Sequence, residues 1–555
     1  MKKLLGIAAA ALAVCMASTT AAVRSDKADI SRNLDIFNSL YKELQTFYVD
    51  SIDADASINT AIEAMLQDID PYTEYIPRDK QDDFKHITTG EYAGIGAMIM
   101  ARDSNVYISE PLVGGPALLA GLRAADRIIT IDGDSVRGWS TARASERLRG
   151  NAGTVVKVVV ARPYAEDSIL TFDITRRKIQ EQSVPYYGVV RGDIGYIILT
   201  SFTDKSYNEV KDALAALKAD PRVKSIVLDL RGNGGGLLES AVKIVSLFVP
   251  KGTEVLRTRG RDVREEKVYK TTLQPLDTKI PLAVLINEGT ASSSEIVSGA
   301  LQDLDRAVIV GNRSYGKGLV QTSRPLPDEG LLKVTISKYF IPSGRLIQAI
   351  DYSRRNPDGS VSRIPDSLTK VFSTAAGREV RDGGGITPDV AVTYKRPGRM
   401  TYNVMESFKV TDYATRYAAQ HPEIAPAGEF VVSDSIFEDF RTFVNPASVN
   451  YDRVLDKMVK NLREAASAEG YMTDSVQAQI DVLATMLHHD PERDFAAARE
   501  EIEPYLVNEI VGRYYYRPGE IESALRYDAG LDSAATVLHT PGRVAGILAP
   551  VKKKK

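Results

Sequence analysis

The chain has 555 residues, of which 44% are hydrophobic and 26% are charged, with a net charge of -3 and a pI near 6.1. This balance excludes the strongly basic surface that nucleic acid or an acidic membrane would attract. The length is too great for one hydrophobic core, so we expect a globular protein of three or four domains.

Residues 1–22 have the pattern of a signal peptide. Two lysines precede the apolar run Leu4 to Ala17, and small residues continue to Ala22. The run is shorter than the about 20 residues that span a membrane, so we expect cleavage and an exported protein, periplasmic or in the cell envelope. Leu12 to Cys15 resembles a bacterial lipobox, except that a valine precedes the cysteine. Lipid anchoring at Cys15 is therefore the less favoured alternative.

Residues 30–85 are predicted to be an N-terminal helical segment. Apolar side chains recur there at helical spacing: Leu34, Phe37, Leu40, Tyr41 and Leu44. The segment ends in a turn that contains Pro71 and Pro77.

Residues 86–178 are predicted to form a small β-module. Short alternating strands are expected over Ala97–Met100, Val106–Ile108, Arg127–Ile131 and Val155–Val160. The sequence GGPALLAGLRAADRIITIDG resembles the signature of a PDZ domain. The stretch that resembles its carboxylate-binding loop comprises Tyr92, Ala93, Gly94, Ile95, Gly96 and Ala97. The resemblance implies that this loop captures the free C-terminus of an extended peptide.

A glycine turn follows the next strong strand pattern. Ser225 to Leu230 is apolar enough for a buried strand, and the sequence Arg231-Gly-Asn-Gly-Gly-Gly236 separates it from a helix pattern. Exposed amides at such a turn suit a phosphate cradle or an oxyanion hole. The lysine and hydroxyl residue that end a P-loop are absent, so the oxyanion hole fits better.

Ser292 is predicted to lie at a second strand-to-helix turn. The apolar run Leu282 to Asn287 reads as a buried strand, and apolar residues after Ser292 recur at helical spacing. A serine at the start of a helix faces free N–H groups that favour a developing negative charge. The structural alternative is that the serines at 292–294 only cap the helix.

Lys317 follows a short strand pattern and stands between Gly316 and Gly318. A buried lysine with a depressed pKa can act as a general base, and Gln321 could orient its amine. A surface lysine in a glycine-rich loop is the structural alternative. Histidine, the usual base, is rare and distant in sequence from Ser292; the five are His86, His421, His488, His489 and His539. Two strands are also expected downstream, over Leu331–Phe340 and Gly344–Ile350.

Beyond Pro397 the pattern becomes helical, and no chemistry is visible in it. Residues 397–545 are predicted to be a C-terminal helical region, followed by a basic tail over 546–555. The adjacent histidines 488 and 489 would point apart on a helix, so we expect neither a metal nor a cofactor.

The paired motifs GTASSSE and YGKGLVQ resemble those of the carboxyl-terminal processing peptidases, also called tail-specific proteases. The resemblance implies a mixed α/β core of the crotonase or ClpP type over residues 179–396, preceded by the PDZ module. It implies Ser292 as nucleophile, Lys317 as base and Gln321 as partner of Lys317. It also implies that the amides of Gly235 or Gly236, with that of Ser293, form the oxyanion hole. Many members have proline where this chain has Gly234.

The implied function is an exported serine endopeptidase that recognises protein tails with free apolar C-termini. An inactive PDZ scaffold and an acyl-group hydrolase on the same core are the alternatives. An adaptor or a second copy of the chain could bind the C-terminal helices. No nucleic acid and no membrane span are expected.

Overall fold

The computed structural model describes residues 27–262, 264, 266–327, 329–352, 356, 360–449, 454–488 and 490–550. The predicted signal peptide with Cys15, His489 and the last five residues of the basic tail lie outside the described residues. The chain divides into two compact units: residues 1–76 with 323–334, and residues 77–322 with 335–555.

The smaller unit contains helices α1 (27–47) and α2 (Ala54–Gln67) and strand β1 (Glu74–Ile76). The side chain of Asp53 caps α2 by accepting the main-chain N–H of Ala56. Strand β1 pairs antiparallel with residues 331–333 of a later strand. The apolar side chains that the sequence placed along α1 are mostly exposed: Leu34, Phe37, Leu40 and Leu44.

The first part of the larger unit is a β-module with its own core. Its elements are α3 (Gln81–Thr89), β2 (Glu91–Gly94), β3 (Ala97–Arg102), β4 (Asn105–Pro111), α4 (Pro116–Ala120), β5 (Arg127–Ile131), β6 (Asp134–Ser135), α5 (Thr141–Leu148), β7 (Val155–Ala161), β8 (Ile169–Thr175) and β9 (Arg177–Gln180). The antiparallel sheet has the order β3-β4-β5-β7-β8, with β6 beside β5, while β2 pairs with β9. Alternate residues of these strands face one core, where Val106, Ile108, Val156, Val158 and Val160 are completely buried.

An α/β core follows. Its elements are β10 (Tyr186–Val190), β11 (Ile194–Ile198), α6 (Ser206–Ala219), β12 (Ser225–Asp229), α7 (Leu238–Ser246), β13 (Glu254–Gly260), β14 (Lys267–Lys270), β15 (Leu282–Ile286), α8 (Ser293–Asp303), β16 (Val308–Gly311), β17 (Leu319–Pro325), β18 (Leu331–Phe340), β19 (Val371–Ser373), β20 (Glu379–Arg381) and β21 (Val390–Ala391). The main sheet has the order β10-β11-β12-β15-β16-β21 and is parallel from β11 onward. Helices α6, α7 and α8 cover one of its faces. This mixed α/β core beside a β-module confirms the predicted fold class.

One predicted strand is wrong. Gly344–Ile350 does not form a strand, because its backbone makes only isolated bridges, Phe340 with Leu346 and Ile350 with Arg363. An apolar segment can be buried in irregular backbone as well as in a strand, and Ile347 is completely buried here.

The last part of the chain is helical. Its helices are α9 (Arg399–Glu406), α10 (Lys409–Gln420), α11 (Asp434–Val444), α12 (Val454–Ala468), α13 (Asp474–Leu487), α14 (Pro491–Ala497), α15 (Arg499–Ala524), α16 (Ala529–His539) and α17 (Arg543–Ile547). Aromatic side chains of α10, α11 and α14 form much of one core: Tyr413, Phe437, Phe440 and Phe495.

Helix α15 breaks at Tyr516, where φ is 52° and a proline follows two residues later. Beyond the break the chain leaves the helical core. Ile521 and the buried residues of α16 pack instead against the second face of the main sheet. The residues that the sequence grouped as one C-terminal region therefore contribute to two cores.

Candidate active site

The candidate site lies where three parallel strands of the main sheet end. The turns after β12, β15 and β16 meet there, as expected for ligand sites at the carboxyl edge of an open α/β sheet. Asn287 Oδ1 accepts from Gly232 N–H at 2.8 Å and from Gly289 N–H at 3.1 Å, and Thr290 Oγ1 donates to Leu230 O at 2.9 Å. These bonds join the first two turns.

Ser292 stands immediately before α8 with strained backbone angles, φ 55° and ψ -116°. A non-glycine residue at positive φ costs of the order of 1–3 kcal/mol and persists only where its surroundings enforce it. Here the main-chain N–H of Ser292 donates to Glu295 Oε2 at 2.9 Å. The half-buried serine therefore lies at the N-terminus of a buried helix, where the helix dipole favours negative charge.

The carboxylate of Glu295 ties the serine turn to the lysine loop. It is completely buried and accepts four hydrogen bonds: from Ser292 N–H (2.9 Å), Lys317 N–H (2.9 Å), Gly316 N–H (2.7 Å) and Ser314 Oγ (2.5 Å). The first two donate to the same oxygen, Oε2. Burial raises the pKa of Glu295 above its ordinary value, whereas the four donors favour the ionised form.

Tyr339 makes a second bridge between the same two segments. Its hydroxyl lies 2.9 Å from Lys317 O and 3.2 Å from Ser292 O, both of which can accept its proton. Burial and the nearby charge of Glu295 raise the pKa of Tyr339 well above its ordinary value, so the hydroxyl stays a neutral donor. Ser292 and Lys317 are thus held together through both their N–H and their C=O groups.

The lysine loop has no room for larger side chains beside Lys317. A Cβ at Gly316, where φ is 89°, would lie 2.4 Å from Ala349 Cβ, and one at Gly318 would lie 2.8 Å from Gln348 N. Lys317 itself is half-buried. Gln321 Nε2 donates to Thr335 Oγ1 at 3.1 Å; its predicted contact with Lys317 stays a prediction.

The glycine turn after β12 lies directly against the serine turn. A Cβ at Gly235 would lie 2.8 Å from Ser292 Cβ and 3.0 Å from Ser293 N. Buried Asn233 shapes the turn, since its Oδ1 accepts from Gly235 N–H at 2.9 Å and its main-chain oxygen accepts from Ser294 Oγ at 2.9 Å. The Gly235 amide therefore already has an acceptor within the protein.

An ion cluster supports the start of the glycine turn. Arg231, the first residue after β12 and Leu230, forms an ion pair with Asp229 at 2.5 Å and donates to Asp528 Oδ1 at 2.9 Å. Asp528 caps α16, so the cluster connects the glycine turn to the helices that cover the sheet. Tyr196 Oη donates to Asp229 Oδ2 at 2.7 Å and completes the cluster.

The four described histidines all contact partners elsewhere: His86 with Glu181, His421 with Tyr417, His488 with Asp456 and His539 with Asp193. Within the described residues no three metal-ligating side chains form a group that could hold a metal ion. The described helices also include none that is both long and apolar enough to cross a membrane.

The predicted carboxylate loop of the β-module is only partly a loop. Tyr92, Ala93 and Gly94 lie in β2, and Ala97 begins β3. Between them, Ile95 O accepts from Ala117 N–H at 2.7 Å and Gly96 has φ 69°. Burial raises the pKa of the Tyr92 hydroxyl to about 12. A cavity of about 530 Å³ lies beside this segment; its wall includes three basic residues, Lys85, Arg149 and Lys178, and one acidic residue, Glu91.

Three family descriptions match successive parts of the chain: a PDZ domain over residues 85–161, peptidase family S41 over residues 193–361, and the C-terminal helical domain of a "Probable PDZ-protease" over residues 400–538. The carboxy-terminal-processing protease of Bartonella bacilliformis is 37% identical over 350 residues, which cover 62% of this chain and 79% of the relative. The chain belongs to the carboxy-terminal-processing proteases of family S41.

A second relative by sequence agrees with this membership. A "Probable CtpA-like serine protease" of Staphylococcus aureus is 30% identical over 78% of this chain and 85% of its own length. Among solved structures, the photosystem II D1 C-terminal processing protease is 29% identical, with a TM-score of 0.36 over 64% of this chain and 86% of its own. The family descriptions and the two relatives by sequence show that this protein is a serine-type peptidase with a PDZ domain.

Sequence reasoning missed several residues that shape the site of this protease. Glu295 had a usable signal, because an acidic residue three positions after a helix-capping serine forms a capping box. Tyr339 and Asn233 had none, because a tyrosine in a strand and an asparagine in a turn have many ordinary roles. The Arg231 to Asp528 contact spans 297 residues and only the fold reveals it.

Proposed function

We propose that this protease is an exported endopeptidase that binds the C-terminal tail of a protein through its PDZ domain and cleaves with a Ser292/Lys317 dyad. The observation that carries the proposal is the shared oxygen of Glu295. One buried atom accepts the main-chain N–H of both residues at 2.9 Å. A buried carboxylate that fixes two loops in this way is expected where their side chains must act together.

In the proposed reaction, Ser292 Oγ attacks the carbonyl carbon of the scissile peptide while Lys317 Nζ takes the hydroxyl proton. Lys317 must therefore be neutral before the attack, which requires that partial burial depress its pKa from about 10.4. The same proton passes to the leaving amine, and the carbon–nitrogen bond breaks to give an acyl-enzyme. In the second step Lys317 Nζ takes a proton from water as the water oxygen attacks this ester, and the proton then passes to Ser292 Oγ as the ester bond breaks.

The oxyanion is proposed to be held by the amides of Gly236 and Ser293. Gly235 is the weaker of the predicted donors, because its N–H already donates to Asn233 Oδ1. Ser293 is the first residue of α8, where main-chain N–H groups have no partner within the helix. A developing negative charge at this point is also stabilised by the helix dipole.

Tail capture is proposed to use the segment from Tyr92 to Ala97 and the edge strand β3. The free carboxylate would bind main-chain amides near Gly94 and Gly96, and the tail would add to β3 as a further strand. Arg149 and Lys178, in the wall of the adjoining cavity, supply positive charge nearby. Export is supported by the sequence of residues 1–22, with lipid anchoring at Cys15 as the alternative.

The proposal is tested with the purified protein and its Ser292→Ala and Lys317→Ala variants. Each is incubated with a mixture of exported proteins, and new termini are mapped by mass spectrometry. We expect new termini only with the wild type, and a milder loss for Gln321→Ala. Residual cleavage above a few per cent in Ser292→Ala, or selective inactivation through one histidine, would reject the dyad.

A further inference from the structure

Strand β3 presents different side chains to two different parts of the protein. It is the edge strand of the PDZ sheet, and its only sheet neighbour among the described strands is β4. Ala97 and Ile99 pack against the PDZ core, which includes Leu148 of α5. Met98 and Met100 point to the opposite face, since successive residues of a strand alternate.

The opposite face looks onto the helical domain rather than onto open solvent. Arg102, at the end of β3, donates to both carboxylate oxygens of Asp412 at 2.8 and 3.0 Å, and its guanidinium lies 4.7 Å from the ring centre of Phe408. On β4, Glu110 Oε1 accepts from Arg517 N–H at 2.7 Å. These contacts join the PDZ domain to α10 and α15.

Between these contacts a cavity of about 670 Å³ remains. Met98 and Met100 line it from the PDZ side, and Phe408 and Thr411 line it from the helical side. Met98 is 46% exposed, although it is a large apolar side chain. Most of the charged residues of the cavity already form ion pairs: Arg102 with Asp412, Arg162 with Asp126, Arg513 with Glu509 and Arg517 with Glu520.

We propose that this cavity is a second subsite for the substrate tail and takes the side chains of its penultimate and fourth-last residues. The inference rests on the proposed capture of the tail by β3. A tail added to β3 alternates its side chains between the two faces. The apolar terminal residue needs the apolar groove of Ile99 and α5, so the penultimate side chain turns to Met98 and Met100.

The chemistry of the walls selects an apolar side chain of considerable length. Methionine side chains adapt to ligands of different shape, and the paired charges leave no unbalanced charge of one sign for a charged ligand. Leucine, methionine and phenylalanine are the side chains that fit. The helical domain is thereby part of the recognition surface, because Phe408 and Thr411 form the wall opposite β3.

The test uses full-length Ser292→Ala protein and short fluorescent peptides with free C-termini, with binding followed by anisotropy. The peptides carry leucine, glycine or lysine at the penultimate position, and the same series is made at the terminal position. The Met98→Glu variant places a charge on the PDZ wall and Thr411→Glu places one on the helical wall. Ile169→Glu is the matched control, because Ile169 is 57% exposed on β8, the opposite edge of the same sheet.

We expect the wild-type surface to bind the peptide with penultimate leucine more tightly than the peptide with penultimate glycine. Met98→Glu and Thr411→Glu should each raise the affinity for the peptide with penultimate lysine by about threefold to fivefold, the range of a partly exposed ion pair. Ile169→Glu should change nothing. The subsite would be overturned if Met98→Glu changed the preference for the terminal residue instead, or if Ile169→Glu changed the preference for the penultimate residue as much as Met98→Glu does. If Met98→Glu changes the preference for the penultimate residue but Thr411→Glu does not, the helical domain is not part of the subsite.

Peptides with amidated C-termini separate this inference from the proposed function. If amidated and free peptides bind equally, the PDZ domain does not capture tails and the proposed function fails. If binding depends on the free carboxylate but no variant changes the preference for the penultimate residue, the proposed function stands and the subsite fails. In that case an adaptor or a second copy of the chain becomes the occupant to examine.

Discussion

Glu295→Gln is the substitution that most directly tests how the serine turn and the lysine loop are held together. The amide keeps the shape of the carboxylate but replaces one oxygen by an NH2 group. At the position of Oε2 that group would face the N–H of Ser292 and of Lys317, and at Oε1 it would face the N–H of Gly316. Either orientation leaves at least one buried main-chain donor without an acceptor, at a cost of about 1–3 kcal/mol each.

The loss of activity should exceed the loss of stability. A misplacement of about 1 Å in a catalytic group can cost about 100-fold in rate, so we expect kcat/KM to fall by between about 10-fold and 100-fold. Cleavage of a fluorogenic peptide and thermal unfolding measure the two effects. Glu288→Gln is the matched control: Glu288 is exposed in the same turn, and its bond from Asn312 can be kept by an amide. Activity of Glu295→Gln within twofold of wild type, with unchanged Tm, would refute the reasoning.

Three further outcomes are expected. Gly236→Ala should abolish peptide cleavage, because the new Cβ would lie 2.3 Å from Phe202 O; near-normal turnover would show that the turn is not part of the site. Tyr339→Phe should lower kcat severalfold and stability by about 1 kcal/mol through loss of the hydroxyl bridge, which kinetics and unfolding can check. Burial and the neighbouring Glu520 raise the pKa of Glu110 above 4.5, so the folded state favours the protonated side chain. The stability that this preference supports is present at low pH and is lost as the pH rises through the raised pKa. Relative to Glu110→Gln, the wild type should therefore lose Tm as the pH rises from below 4.5 through the raised pKa, and a constant difference in Tm would contradict the shift.

Local patterns predicted the elements around the candidate nucleophile. The apolar run that became β15 ends at a glycine turn, and helical spacing resumes at once in α8. The same reasoning predicted β12 and the glycine turn that follows it. In each case the information lies within a dozen or so residues, because backbone turns and buried strands impose their own residue types.

Contacts between distant segments could not be predicted in this way. Periodicity showed that the last helices have apolar faces, but an apolar face does not specify its partner, and α16 proved to lie on the protease sheet. Tyr339 reaches the site only because β18 pairs with β13, which positions it between the two loops. The assignment of Ser292, Lys317 and Gln321 to catalysis stays a prediction that the variants above decide.

Helix α16 and neighbouring residues cover one face of the main sheet, and this has a consequence for the order of folding. The strands of the main sheet are synthesised long before residues 529–539. Until then one face of the sheet, including Val227, Leu285 and Val310, has no partner, and Arg231 lacks Asp528. We therefore expect the protease core to reach its final packing, and with it its activity, as one of the last steps of folding.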